Sequence, residues 1–294
     1  MKKKLIATPS RTNEILKGYH LEAKKSLGQN FLMEPQVLAD MVATGEIDKA
    51  TNVIEIGPGI GALTEVLAQE GKEVLAFELD QRLLPVLANE LSDYDNIHVL
   101  HADILEVDIA ETVSHYFSAD DRLLVVANLP YYITTPIIFK LLESGLRFDG
   151  FVLMMQKEVA ERLTAATHSK AYGSLTIAID YYCEAEIAFT VPRTVFKPRP
   201  NVDSAILYLK RRPQAKVSVQ DEDFFFRLVR ASFKQRRKTL WNNLRQFFGK
   251  DPQVLERVEE ALAQAEIDPK RRAETLSIEE FARLSDALNE AGCS

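Results

Sequence analysis

The sequence predicts an α/β protein: a doubly wound, mainly parallel sheet in the first two-thirds, then a small all-helical domain. Three observations carry this. Short β-rich runs alternate with helix-period runs as far as Met155. Those runs are apolar on both faces, as strands are when helices cover both sides of a parallel sheet. Beyond Arg211-Arg212-Pro213-Gln214 no β-run returns.

Asn52 to Gly57 is the first strand, closing on a glycine turn, and a helix-period run from Ala62 to Gln69 follows it. Gly71 is expected at the C′ position of that helix. Glu73 to Glu78 is the second strand, with Asp80 placed to cap a helix through Leu91. Ile97 to Leu100 and Leu123 to Asn128 are the third and fourth strands. Ile137 to Leu142 is a helix, and Phe151 to Met155 a further strand. Tyr182 to Val191 and Val202 to Leu209 are strands joined by a proline-rich loop. Helices then cover Asp223 to Phe248, Gln253 to Glu266 and Ile278 to Leu288. The expected domains are therefore 1–212 and 213–294.

The chain has 294 residues, enough for a large core plus a satellite domain. No apolar run reaches the roughly 20 residues that span a bilayer. The basic start Met1 to Lys4 lacks the apolar stretch of a signal peptide. Two distant cysteines, Cys183 and Cys293, and histidines without ligand spacing point to a cytoplasmic protein with no metal site. Net charge is −7, but it is segregated: Arg193 to Arg245 holds 14 Lys and Arg against four acids, leaving −17 on the rest. A basic block on an acidic body suits a phosphate-backbone binder, although a solvated helix face gives the same pattern.

Glu55-Ile56-Gly57-Pro58-Gly59-Ile60-Gly61 ends the first strand, where glycines let the backbone approach a ligand closely. Glu78, at the end of the second strand, sits where a ribose diol would lie. Gly57-x-Gly59-x-x-Ala62 also fits the dinucleotide fingerprint, so this much leaves a methyltransferase and an NAD-dependent enzyme both open. Asp103 after the third strand can accept from an adenine amino group, or simply cap a helix. Asn128-Leu129-Pro130-Tyr131 after the fourth lies at the edge where open α/β sheets bind ligands, or is a plain turn. An oxidoreductase has no use for that tetrapeptide.

With these residues the sequence resembles the ribosomal RNA adenine dimethyltransferase family. The match runs from Lys24-Lys25-Ser26-Leu27-Gly28-Gln29-Asn30-Phe31-Leu32 through Val195 to Ser204 and on to Ser232 to Leu240. The resemblance implies a Rossmann-like class I methyltransferase domain at 1–212, S-adenosylmethionine as cofactor, and an RNA-binding helical domain at 213–294. It assigns Asn30 and Leu32 to covering the cofactor, Gly57 to its methionine moiety, Glu78 to its ribose and Asp103 to its adenine. Asn128 is placed near both the sulfonium and the target base. The tail Gln235 to Leu240 is similar to the branch that dimethylates two adjacent adenosines in the 3′-terminal hairpin loop of 16S rRNA, rather than to the 23S enzymes. The implied partner is 16S rRNA in an assembling small ribosomal subunit, met by a monomer with no membrane.

The N6 nitrogen of adenine is a poor nucleophile because its lone pair is delocalised into the ring. Asn128 and a backbone carbonyl of Leu129 or Pro130 can hold its two hydrogens and favour a pyramidal nitrogen, with no general base. Tyr131 is expected to stack on the extruded base, with Phe196 as the opposing aromatic. The polar, rigid Lys197-Pro198-Arg199-Pro200 context favours an exposed Phe196 over one in the core. Arg230, Lys234 and Arg237, at i, i+4 and i+7 of one helix, are expected to share a face and grip RNA phosphates.

Overall fold

The computed structural model describes residues 4–24, 27–130 and 133–293. The elements follow in order: α1 (Pro9–Gly18), β1 (Phe31–Leu32), α2 (Pro35–Thr44), β2 (Thr51–Ile56), α3 (Ala62–Glu70), β3 (Val74–Glu78) and α4 (Leu84–Glu90). Next come β4 (Ile97–His101), α5 (Ile109–Ser114), β5 (Arg122–Asn128), α6 (Thr134–Leu142), β6 (Gly150–Gln156), α7 (Lys157–Leu163) and α8 (Ser174–Tyr182). The chain closes with β7 (Cys183–Val191), β8 (Phe196–Lys197), β9 (Ser204–Arg211), α9 (Glu222–Ser232), α10 (Leu240–Phe248), α11 (Pro252–Gln264) and α12 (Ile278–Glu290).

Seven strands form one sheet in the order β4-β3-β2-β5-β6-β9-β7. β2 to β6 are mutually parallel, and β9 runs antiparallel to β6. The strand order reverses between β2 and β5, so their carboxyl ends open the crevice where such sheets bind ligands. β2, β3 and β5 are apolar because both their faces are covered: Val53, Ile54, Leu75 and Val125 are wholly buried. β4 departs from that expectation. It is the sheet's edge and is only half buried.

The chain divides into two compact units, one of residues 1–160 with 185–211, the other of 161–184 with 212–294. The division differs from a single boundary after 212, because 161–184 groups with the C-terminal helices. Tyr181, which opens no strand but belongs to α8, explains this: its ring meets Phe225 at 5.4 Å and Phe226 at 5.1 Å. Burying those aromatics is what holds 161–184 to the second unit. Phe281, Leu284 and Leu288 of α12 complete its core.

Two local expectations are corrected. Gly71 is extended, not left-handed; it is glycine because a Cβ would lie 2.8 Å from Leu67 O. The single helix expected from Asp223 to Phe248 is two, α9 and α10, with a turn over 233–239. Thr239 starts α10 by accepting from Asn242 N. The N–H groups of Leu240 and Trp241 bond Arg271 O and Pro269 O, so the first turn of α10 is satisfied without a preceding helix. Buried Asn243 fixes the turn, accepting from Gln235 N at 3.1 Å and donating to Gln235 O at 3.3 Å.

Candidate functional site

The loop leaving β2 begins the site. Gly57, Gly59 and Gly61 all have positive φ, at 70°, 62° and 91°, where only glycine sits without strain. A Cβ on Gly57 would project into open space, so the backbone there is bare to any ligand. On Gly61 it would meet Leu91 and Leu87 at 3.1–3.3 Å. The first glycine serves access and the third serves packing.

Glu78, the last residue of β3, is buried beside this loop. Its Oε2 accepts from Gly59 N at 3.1 Å and its Oε1 from Asp80 N at 2.7 Å. Burial raises its pKa, and these two N–H donors oppose the rise. Asp103, just past β4, uses Oδ1 to accept from Leu105 N at 2.9 Å. Asp103 caps no helix, because the bond to Leu105 N closes a turn and α5 begins later with Asp108 as its cap; Asp103 lines the cleft.

Asn128 ends β5. Its Nδ2 donates to Asn30 O at 3.4 Å, which leaves Oδ1 to act as the acceptor. Leu129 N donates to Met154 O at 3.0 Å, tying the loop to β6. Pro130 O accepts from Ile133 N at 3.3 Å and from Thr134 Oγ1 at 3.1 Å, so it starts α6. One cleft is lined by Asn30, Leu32, Gly57, Glu78, Asp103, Asn128, Leu129 and Pro130. Tyr131 lies outside the described residues.

The segment carrying Asn30 is latched across the cleft's rim by Asp80. That side chain, 1% exposed, accepts from Lys24 Nζ at 3.1 Å and from Gln29 Nε2 at 2.9 Å. It also accepts from Arg82 Nε at 3.0 Å and Nη2 at 2.7 Å. Arg82 first, then Gln29 and Lys24, hold its pKa well below the usual carboxylate range, against the effect of burial. The sequence offered Asp80 only as a cap, a role it also fills through Arg82 N.

Two expectations need correction. Phe196 is 3% exposed, packed in the core beside Leu32, Leu38 and Val37, and is absent from the cleft lining. Its backbone pairs with Leu32 in an antiparallel β1–β8 ribbon, which turns the ring inward despite the polar residues that follow. Arg230, Lys234 and Arg237 do not share a helix face. Only Arg230 lies in α9, while Lys234 and Arg237 fall in the turn over 233–239.

Among the cleft residues that the sequence reading did not assign, three bear on the site's chemistry. Leu79 is a large apolar side chain, 46% exposed, between the acids Glu78 and Asp80. Ile104, beside Asp103, is the second apolar lining residue at that end. An apolar residue flanked by acids at a strand end was the available signal. The third, Glu55, is 1% exposed, and its Oε2 finds no hydrogen-bond partner among the described residues. Burial pushes its pKa up to about 8.

Among the described residues no group of His, Cys, Asp or Glu is arranged to hold a metal, and no helix is long and apolar enough to cross a membrane. The family model described as Ribosomal RNA adenine dimethylase matches residues 20–290. The ribosomal RNA small subunit methyltransferase A of Enterococcus faecalis is 59% identical over 285 residues, 97% of each chain. That of Anoxybacillus flavithermus is 57% identical over 283 residues, 96% of each. In structure, the chain is similar to a dimethyladenosine transferase from Plasmodium falciparum (TM-score 0.70, 26% identity, 89% of this chain and 98% of that one). It is also similar to the 23S rRNA methyltransferase ErmE (TM-score 0.62, 28% identity, 88% and 99%).

Proposed function

The chain belongs to the ribosomal RNA adenine dimethylase family, and from that membership we propose that it dimethylates the N6 amino groups of two adjacent adenosines in the 3′-terminal hairpin loop of 16S rRNA. The small-subunit names of its relatives support 16S over 23S RNA. An assembling small subunit in the cytoplasm is the proposed setting.

The observation that carries the chemistry is the convergence of Asn128 and the glycine loop on one cleft. The chain's residues fit S-adenosylmethionine: a bare backbone at Gly57, a buried carboxylate at Glu78 for a diol, and Asp103 for an adenine amine. Asn30 and Leu32 would cover it. The bound cofactor supplies a methyl group on a positively charged sulfur. Asn128 Oδ1 accepts one N6 hydrogen of the target. Because Pro130 O is engaged by Ile133 and Thr134, the second acceptor is assigned to Leu129 O. Two acceptors set apart in this way hold the nitrogen pyramidal, its lone pair freed from the ring to attack. The leaving proton passes to solvent in this reading. Tyr131 is assigned to stack on the base. Phe196, being buried, acts in this reading by bracing Leu32 and the ribbon that carries it.

The helical unit is assigned to RNA binding, supported by its basic run from Arg212 to Arg245, nine Lys and Arg against three acids. The test is mass analysis of 16S rRNA nucleosides from cells lacking the protein. N6,N6-dimethyladenosine should vanish and return with the wild type but not with Asn128→Ala. Dimethyladenosine persisting in the deletion strain would overturn the assignment.

A further inference from the structure

The break between α9 and α10 creates a second concavity, in the helical unit and remote in sequence from the cleft residues. It is a cavity of about 360 Å³ whose lining includes Arg227, Arg230, Lys234, Gln246 and Phe247. A continuous helix over 223–248 would have carried Lys234 away from α10. The turn instead folds α10 back, so that cations from the end of α9 face an aromatic from α10. No acid is among the lining residues. Arg227 and Lys234 have no carboxylate partner within ion-pair distance among the described residues. Arg227 instead lies over the Phe224 ring at 5.6 Å.

Phe247 is 39% exposed, a large apolar side chain open to solvent, while Phe224, Phe225 and Phe226 of the same unit are buried. One edge of its ring packs on Phe248 at 4.8 Å, which fixes the ring's orientation. Gln246 Oε1 accepts from Gln235 Nε2 at 3.0 Å, so the Gln246 side chain is positioned and its Nε2 is left as a donor. Asn243 is buried and wholly engaged with the turn, so it shapes the floor rather than meeting a ligand.

Two cations without a carboxylate partner among the described residues, a fixed amide donor and a fixed exposed ring select for an anion attached to a flat apolar ring. We propose that this niche binds one unpaired nucleotide of the RNA, its base against Phe247 and its phosphate on Arg227 and Lys234. A paired stretch cannot use it, because a stacked base exposes no face to the ring. This rests on the RNA-binding reading of the helical unit and adds to it a preference: an unpaired nucleotide at a site separate from the base that is methylated.

The test uses the full-length protein and two RNAs of equal length, a hairpin with an unpaired loop and a blunt duplex. The wild type should favour the hairpin. Phe247→Ala should weaken hairpin binding about tenfold and leave duplex binding unchanged, the effect expected of removing one base–aromatic stack. Phe247→Tyr should restore it. Arg227→Gln should lower the salt slope by about 0.7, the value for one single-strand phosphate left unneutralised. Circular dichroism and thermal melts report that the helical unit of each variant is folded. Photo-crosslinking of a hairpin with 4-thiouridine in its loop should mark the peptide that contains Phe247. Failure of the wild type to bind either RNA would overturn the RNA-binding reading and the niche together. Hairpin binding that Phe247→Ala and Arg227→Gln leave intact, with no crosslink at α10, would overturn the niche alone.

Discussion

At Asn128 the geometry separates two roles that a turn residue could fill. Its Nδ2 is bonded to Asn30 O, which leaves Oδ1 for the acceptor role proposed for it. Asn128→Ala should therefore reduce single-turnover methylation by about 10²–10³-fold with little change in RNA affinity. Equal losses in both would indicate a folding role. Glu78→Ala should weaken S-adenosylmethionine binding at least tenfold by calorimetry, since the diol loses its acceptor. Unchanged affinity would move the ribose elsewhere. Glu55 acts on stability. Its folded pKa of about 8 lies above the carboxyl value of 4.5, so the folded state holds a proton that the unfolded state releases. Its contribution is full below pH 4.5 and is lost as pH rises through 8. Glu55→Gln should flatten the pH dependence of urea stability over that window, by on the order of 4 kcal/mol at its alkaline end. Parallel curves for the two proteins would refute the assignment. The convergence of Asn30, Leu32, Gly57, Glu78, Asp103 and Asn128 on one cleft was legible, because most of them lie at or just past a strand end. The burial of Phe196 and Glu55 was not, since it depends on what packs above them.

At the scale of elements, residues 21–24 and 27–32 have little regular structure and are held by side chains. Asp80 supplies the main tie, joining Lys24 and Gln29 to the end of β3. Asp80→Asn removes the charge while keeping the shape. It should speed amide hydrogen exchange over residues 27–32 and raise the dissociation constant for S-adenosylmethionine several-fold, with kcat less affected. Unaltered exchange and affinity would make the latch incidental; its partners are partly exposed, so no large stability loss is expected. The turn between α9 and α10 shows why one helix was read for two. Residues 233–239 contain no Gly or Pro, and their charges continue the helical period. What stops the helix is a distant segment, 269–271, offering carbonyls to α10, together with Asn243 folded back on Gln235. The carbonyls at 269–271 lie far along the chain, and an Asn side chain reads as polar surface rather than as a stop, so neither leaves a mark in hydrophobic periodicity.

For the molecule as a whole, the basic stretch from Arg193 to Arg245 crosses from the first unit into the second at Arg212. Chemistry is assigned to the first unit and RNA binding to the second, which carries nine of that stretch's 14 Lys and Arg. Replacing Arg230, Lys234 and Arg237 together by Gln should weaken RNA binding and flatten its salt dependence by up to about 0.7–0.9 log units for each phosphate no longer neutralised. S-adenosylmethionine binding should not change, as the cleft belongs wholly to the other unit. A salt titration of both proteins decides it, and identical slopes would make these cations a solvated surface. The parallel sheet was legible from its apolar runs. The insertion of β9 between β6 and β7 was not, because antiparallel pairing across 48 residues is set by the tertiary fold.

The bonding of Pro130 O to Ile133 and Thr134 carries one more consequence. If Asn128 Oδ1 and Leu129 O are the two acceptors, the loop grips adenine through two hydrogens with two oxygens, and no third is in reserve. The first transfer replaces one hydrogen by a methyl, so one oxygen loses its partner and the nitrogen must turn before a second transfer. The second transfer removes the last hydrogen. The grip thus counts down with the substrate's own hydrogens, and a doubly methylated base is released because nothing remains on its nitrogen to hold.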